Sequence, residues 1–291
     1  MRGGPGECRH PHQTITRFFT GFAGQIAVRI GVRSASMLRS LPGTQALSAF
    51  AKAAARPMNS LLGRLGYRIN RIATSGGNTM DAALMRAAHR GVVVNSIIDV
   101  GASNGGWSDI ARRHFPDARF LLVEANVVHE PGLRTFKERV PQADYVLAAA
   151  GDRCGTLNFD NSDPFGGVAS TVAAAGMIQV PSTTIDHEVE TRRLPGPFAV
   201  KLDTHGFELP ILEGAKQTLR NANLLVIEVY NFTLRPGALR FFEICDYLKP
   251  LGFAPIDLCD PMYRPIDGAF WQCDMFFLRN DSAEFKTIGY A

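Results

Sequence analysis

Between Ile97 and Ser108 the chain reads Ile-Ile-Asp-Val-Gly-Ala-Ser-Asn-Gly-Gly-Trp-Ser. A short apolar run ends at an acid, turns through small residues and enters what reads as a helix. This is how the first strand of an open α/β sheet opens onto a ligand, at the carboxyl ends of the strands. Gly101 and Gly105 carry no Cβ, so the backbone there can approach a bound molecule closely. Asp99 stands where the strand gives out, in the position for a ligand contact. Taken alone, the stretch fits an ordinary turn equally well, with glycines that serve only the bend.

The remainder of the chain decides the fold class. After Gly91, strand and helix signals alternate, which predicts a parallel sheet with helices on both faces. Strands are predicted over 96–100, 119–123, 145–149, 198–202 and 223–229. Helices are predicted over 105–115 and 131–140, from Glu208 onward, and over 239–249. Residues 156–159 and 178–181 read as extended pieces around a Gly/Ser-rich loop. Two last strands, 253–258 and 274–278, form an antiparallel hairpin. Its loop holds Tyr263 and Trp271, which either line a substrate pocket or pack on the sheet.

Charge divides the chain in two. Residues 1–90 hold 13 Lys and Arg against two acids, whereas residues 91–291 hold 18 against 25. The front end therefore meets something anionic or neutralises its own acidic partner domain. Phe18, Phe22, Ile26 and Ile30 recur at helix spacing, and Met58, Leu61, Leu62 and Leu65 form a second stripe after Pro57. Residues 1–77 are thus read as a basic helical extension, partly disordered, and residues 78–291 as the sheet domain. Residues 17–72 can supply a peripheral membrane contact. No run of about 18 uncharged apolar residues exists to span a bilayer. The segment from Phe18 to Val28 makes a poor secretion signal, because prolines and polar residues interrupt the positive region before it. The five cysteines are scattered, odd in number and form no Cys-x-x-Cys. This argues against a disulfide framework or structural zinc, and a cytoplasmic location is expected.

Glu124 ends the second predicted strand. An acid there commonly accepts hydrogen bonds from ribose hydroxyls, which implies an adenosine-containing cofactor. A dinucleotide requires Gly-x-Gly-x-x-Gly so that its pyrophosphate meets a helix N-terminus. Here Ser103 holds the second glycine position, and no Lys or Arg lies in the turn. A phosphate-free cofactor with a sulfonium and an amino-acid end, S-adenosylmethionine, fits better. Asp152, after the third strand, can accept the adenine amino group or simply serve the turn. Asp203, His205 and Glu208 follow the fourth strand, on the same side of the sheet. His205 is the best-matched base, and Asp203 can orient it or bind the cofactor's amino-acid end. Glu208 serves as a third candidate or only offsets the helix dipole. These acids with a histidine could also ligate a divalent metal, but the cluster is too sparse and no metal is assigned. Asp186 and Glu228 read as structural partners near the sheet edge.

These residues carry a resemblance to the FkbM-type S-adenosylmethionine-dependent methyltransferases. Residues 99–108 resemble that family's Asp-Val-Gly-Ala-Asn-x-Gly-x-x-Ser. Leu-Val-Glu124-Ala-Asn resembles its Glu-Pro-Asn, and Ser-Thr-Thr-Ile-Asp186 its Thr-Thr-Leu-Asp. Lys201-Leu-Asp203-Thr-His205-Gly-Phe-Glu208, with Leu-Glu-Gly214-Ala after it, resembles Lys-Ile-Asp-x-Glu-Gly-x-Glu…Leu-x-Gly-Ala. Ser103 replaces the usual Asn, Ala125 the Pro and His205 the commoner Glu. The resemblance spans about residues 92–280. It implies a Rossmann-like class I methyltransferase fold and methylation of a hydroxyl on a sugar or other natural-product scaffold. The implied partner is a small hydroxylated molecule such as a glycan. Nucleic acid is not expected, since the sheet domain is acidic. Two other readings compete: a nicotinamide-dependent oxidoreductase, and a noncatalytic protein that docks through its basic arm.

Overall fold

The structure is a computed structural model and describes residues 77–289. The expectations for the N-terminal extension, including its helices and the membrane contact through residues 17–72, lie outside the described residues. Helix α1 (Met80–His89) begins at Thr79, whose side chain accepts the Ala82 N–H. This is an ordinary N-cap, and α1 buries Met80, Leu84 and Ala87.

Seven strands form the central sheet. In chain order they are β1 (Ser96–Val100), β2 (Arg119–Glu124), β3 (Ala143–Leu147), β8 (Phe198–Leu202), β9 (Ala222–Tyr230), β10 (Phe253–Tyr263) and β11 (Phe270–Arg279). The spatial order is β3-β2-β1-β8-β9-β11-β10. Strands β3, β2, β1, β8 and β9 pair in parallel, while β11 pairs antiparallel with both β9 and β10. The terminal hairpin thus inserts its second strand between β9 and β10. Strands β1 and β8 are buried along their whole length, as a sheet covered on both faces requires.

Helices α2 (Gly106–His114) and α3 (Glu130–Arg139) follow β1 and β2. Two apolar clusters lie on the two faces of the sheet. Ile98, Val100, Leu202 and Ile227 point into one, and Ile97, Ala199, Val226 and Phe276 into the other. The period of two along each strand produces that division.

Residues 149–183 depart from the expected pattern. They hold β4 (Ala149–Ala150), β5 (Gly155–Asp160), β6 (Val168–Ser170) and β7 (Ile178–Thr183), which form a second sheet in the order β4-β7-β5-β6. The third predicted strand therefore ends early. The Ala148 N–H still donates to the carbonyl of Glu124, but Ala149 and Ala150 pair with β7 instead. Helix α4 (Ile185–Arg192) returns the chain to β8. The helix expected from Glu208 is split into α5 (Glu208–Glu213) and α6 (Lys216–Arg220), and α7 (Phe241–Leu248) precedes the hairpin.

Candidate active site

Strand order reverses between β1 and β8, the place where open α/β sheets bind ligands. A cavity of about 280 Å3 opens there, lined from the ends of β1, β2, β8 and β9 and from the second sheet. At one end lies the turn after β1. Gly101 has φ +71° and Ser103 φ +48°. A Cβ on Gly101 would collide with the carbonyl oxygen of Asp203, so the turns after β1 and β8 can press together only with glycine here. The Glu124 carboxylate lines this end. It accepts the Ser103 N–H and the Asn126 N–H, each at 2.7 Å. Each of its oxygens keeps a lone pair for a further donor.

Beside this turn, at the ends of β8 and β9, acids gather. The ammonium of Lys201 is buried 3.4 Å from Asp99 and 3.1 Å from Asp203. Burial works against ionised Asp203, but the ammonium of Lys201 outweighs it and holds this carboxyl below its usual range. His205 Nδ1 lies 3.4 Å from the carbonyl of Gly167. A proton on Nδ1 directed there leaves the lone pair on Nε2, which is 3.7 Å from both Asp203 and Glu228. The polar atoms of Asp203, His205 and Glu228 all lie within 4.8 Å of one another. Glu228 accepts a hydrogen bond from Tyr230 Oη at 2.5 Å and another from Gln272. Burial, reinforced by the Asp203 charge, pushes its carboxyl up to about 9.

The second sheet closes the cavity. The carbonyl of Pro164 lies 2.7 Å from His129 Nε2 and accepts from Asn126 Nδ2 at 3.4 Å. Phe165, 69% exposed, packs its ring 5.2 Å from that of His129. Phe159, Gly167 and Ala169 complete this wall.

Five of the residues read from the sequence as catalytic or cofactor-binding candidates stand at the cavity: Gly101, Ser103, Glu124, Asp203 and His205. The others do not line it. Asp99 is 0% exposed, and its side chain leaves the strand on the opposite face, toward Ser108 (2.7 Å) and Lys201. It shares that face with Ile97, two residues earlier. Gly105 lies behind the turn against Leu122 and Phe136, with φ +85°. Asp152 is exposed and pairs with Arg153. Glu208 turns back into its own loop, accepting the Gly206 N–H at 3.0 Å and the Thr204 hydroxyl at 3.1 Å. It therefore shapes the turn that presents His205 and does not stand beside it in the cavity. Tyr263 is 61% exposed on the hairpin, and Trp271 stacks on Phe232, both away from the cavity.

Sequence reasoning gave Lys201 no role and read Glu228 as a structural partner near the sheet edge, whereas the structure sets Glu228 in the cavity wall. Both carry a readable signal. Each is a lone charge inside an apolar strand, and a buried charge demands a partner or a task.

A seven-stranded sheet with this order, an antiparallel hairpin at its edge and a cavity at the switch point is the class I methyltransferase architecture. Residues 99–255 match the model of the methyltransferase FkbM domain, and the chain belongs to that family. The hexuronic acid methyltransferase AglP of Haloferax volcanii is 28% identical over 149 residues, which make up 47% of this chain. The match spans 61% of the length of that relative. The crystal structure of the methyltransferase FkbM from Methylobacillus flagellatus KT superimposes with a TM-score of 0.42 at 15% identity. That superposition covers 62% of this chain and 43% of the other.

Proposed function

We propose that the protein is an S-adenosylmethionine-dependent O-methyltransferase whose acceptor is a hydroxyl on a sugar or natural-product scaffold. The observation that carries this reading is the distribution of charge in the cavity. Among the described residues, Glu124, Asp203 and Glu228 line it, with neither Lys nor Arg. Such a site suits a ligand with ribose hydroxyls at one end and a fixed positive charge further along. It is hostile to a pyrophosphate, which disfavours the nicotinamide reading.

When bound, S-adenosylmethionine supplies a methyl group made electrophilic by the sulfonium. The protein's part is to hold the acceptor oxygen in line and to take its proton. His205 Nε2 is placed to accept that proton, and the carboxylate of Asp203 favours the imidazolium that results. The sequence relative is named for a hexuronic acid, which offers both hydroxyls and a carboxylate. A carboxylate acceptor would need no base and would be repelled by the acids of this cavity, so a hydroxyl is favoured. The acceptor is a small molecule, a glycan among the classes that fit, and not a nucleic acid. We assign the protein to the cytoplasm, with residues 17–72 available for a membrane surface. Among the described residues no helix is long and apolar enough to cross a membrane.

Calorimetric titration with S-adenosylmethionine, S-adenosylhomocysteine and NAD tests the reading. Both adenosyl ligands should bind and NAD should not. Glu124→Ala should weaken binding by about tenfold or more, since it removes charge-assisted hydrogen bonds to the ribose. Folded protein that binds none of the three would overturn the enzyme reading and leave the noncatalytic one.

A further inference from the structure

Three carboxyl groups stand abreast at the carboxyl edge of the sheet. Asp274 on β11 is paired in register with Glu228 on β9. The register of β8 with β9 sets Leu202 against Ile227, and one step further brings Asp203 beside Glu228. Like charges directly opposed across strands destabilise a sheet. The groups that act on Glu228 can be named by element. Asp203 approaches from the end of β8, with Lys201 behind it. His205 comes from the following turn, and Tyr230 lies on Glu228's own strand. Cys273 and Asp274 belong to β11. Among the described residues the ion pairs of this group contain one permanent cation, Lys201, and it is held between Asp99 and Asp203. Tyr230 and Gln272 hydrogen-bond to Glu228 without bringing charge. The row is short of positive charge, and its Glu228 member faces the cavity.

We propose that Glu228 belongs to the methyl-donor site, where the free protein holds a proton in place of the donor's sulfonium charge and releases it to solvent when the donor binds. The inference rests on the methyltransferase reading. Burial and the charge of Asp203 keep Glu228 protonated near neutral pH. A fixed cation arriving in the same cavity favours the carboxylate, and the proton leaves. Donor affinity then rises with pH by up to about tenfold per unit below the free carboxyl's titration, as linkage of one released proton requires. S-adenosylhomocysteine differs from the donor only in lacking the methyl group and with it the sulfonium charge, so it should not expel this proton.

The test is calorimetry near neutral pH in phosphate and in Tris, whose different ionisation heats count the protons released. We expect about one more proton released with S-adenosylmethionine than with S-adenosylhomocysteine. Glu228→Gln, checked for folding by circular dichroism and a cooperative thermal transition, should abolish that difference. Equal proton release for the two ligands in the natural protein would overturn the proposal. So would a difference that survives in Glu228→Gln. Should the variant fail to fold, the comparison of ligands on the natural protein decides by itself. Failure to bind either ligand would instead remove the methyltransferase reading and this inference with it.

Discussion

Gly101 and Asp186 show what single positions do for the site and for its support. Gly101 leaves no room for a methyl group against the carbonyl of Asp203, and it has a positive φ. Gly101→Ala should therefore cost about 3 kcal/mol or more of stability, through overpacking and backbone strain together. Urea unfolding would show it as a lowered midpoint, and an unchanged midpoint would mean that the two turns can separate freely. Asp186 lies in a family motif yet has a structural task. Its carboxylate accepts the N–H groups of Gln217 and Thr218 and the Thr218 hydroxyl, at 2.7–2.9 Å. It thereby caps α6 from another element. Asp186→Ala should cost about 1–2 kcal/mol, as lost caps do, and leave affinity for S-adenosylmethionine within error. The sequence reading of Asp186 as a structural partner agrees with this placement. It assigned Asp99 to the ligand because strand ends are where ligands sit. Which face a side chain leaves by depends on one residue of register, and Asp99 falls on the far side with Ile97.

At the scale of elements, the proposed function makes the turn from β8 into α5 the one that should bear on turnover. Glu208 is buried and accepts the Thr204 hydroxyl and the Gly206 N–H on either side of His205, itself at φ +52°. Glu208→Ala should lower kcat by roughly tenfold or more, because small misplacement of a reacting group is costly. The dissociation constant for S-adenosylmethionine should stay within about twofold, since Glu208 does not line the cavity. Equal losses in both would place Glu208 in donor binding instead. The central strands and their helices were legible because each carries its own period and its own stop signals. The second sheet was only partly so. Its strands β5 and β7 read as extended, but β4 is too short to carry a pattern and β6 is hidden among glycines and serines. Their pairing depends on contacts distant in the chain, and periodicity contains no such information. The acid end of the site was legible for Asp203 and His205, which follow a strand in plain sequence. Glu228 and Lys201 needed their neighbours across the sheet to become intelligible.

For the molecule as a whole, the buried acids determine how stability responds to pH. Glu228 is pushed up to about 9, by burial first and the Asp203 charge second. Asp274 is raised to about 7 by the same two causes. Both carboxyls stay protonated in the folded chain at pH values where the unfolded chain has ionised them. Raising pH from the ordinary carboxyl range toward about 9 therefore favours unfolding, by at most about 1.4 kcal/mol per unit for each group. Asp203, held low, has the opposite sign, and its contribution is lost only on acidification below the ordinary range. Urea midpoints should fall between about pH 6 and pH 8.5, and Glu228→Gln should flatten that slope. A midpoint that climbs over this interval would contradict the assignment. The second sheet has a separate consequence. Residues 149–183 supply Phe159, Pro164, Phe165, Gly167 and Ala169 to the cavity wall from one uninterrupted segment, whereas Glu124, Asp203, His205 and Glu228 all come from outside it. On the proposed function, the wall that would meet the acceptor and the groups that would act on it are thus encoded in separate stretches of the gene, and exchanging that single cassette between relatives should change the acceptor while leaving the reacting groups untouched.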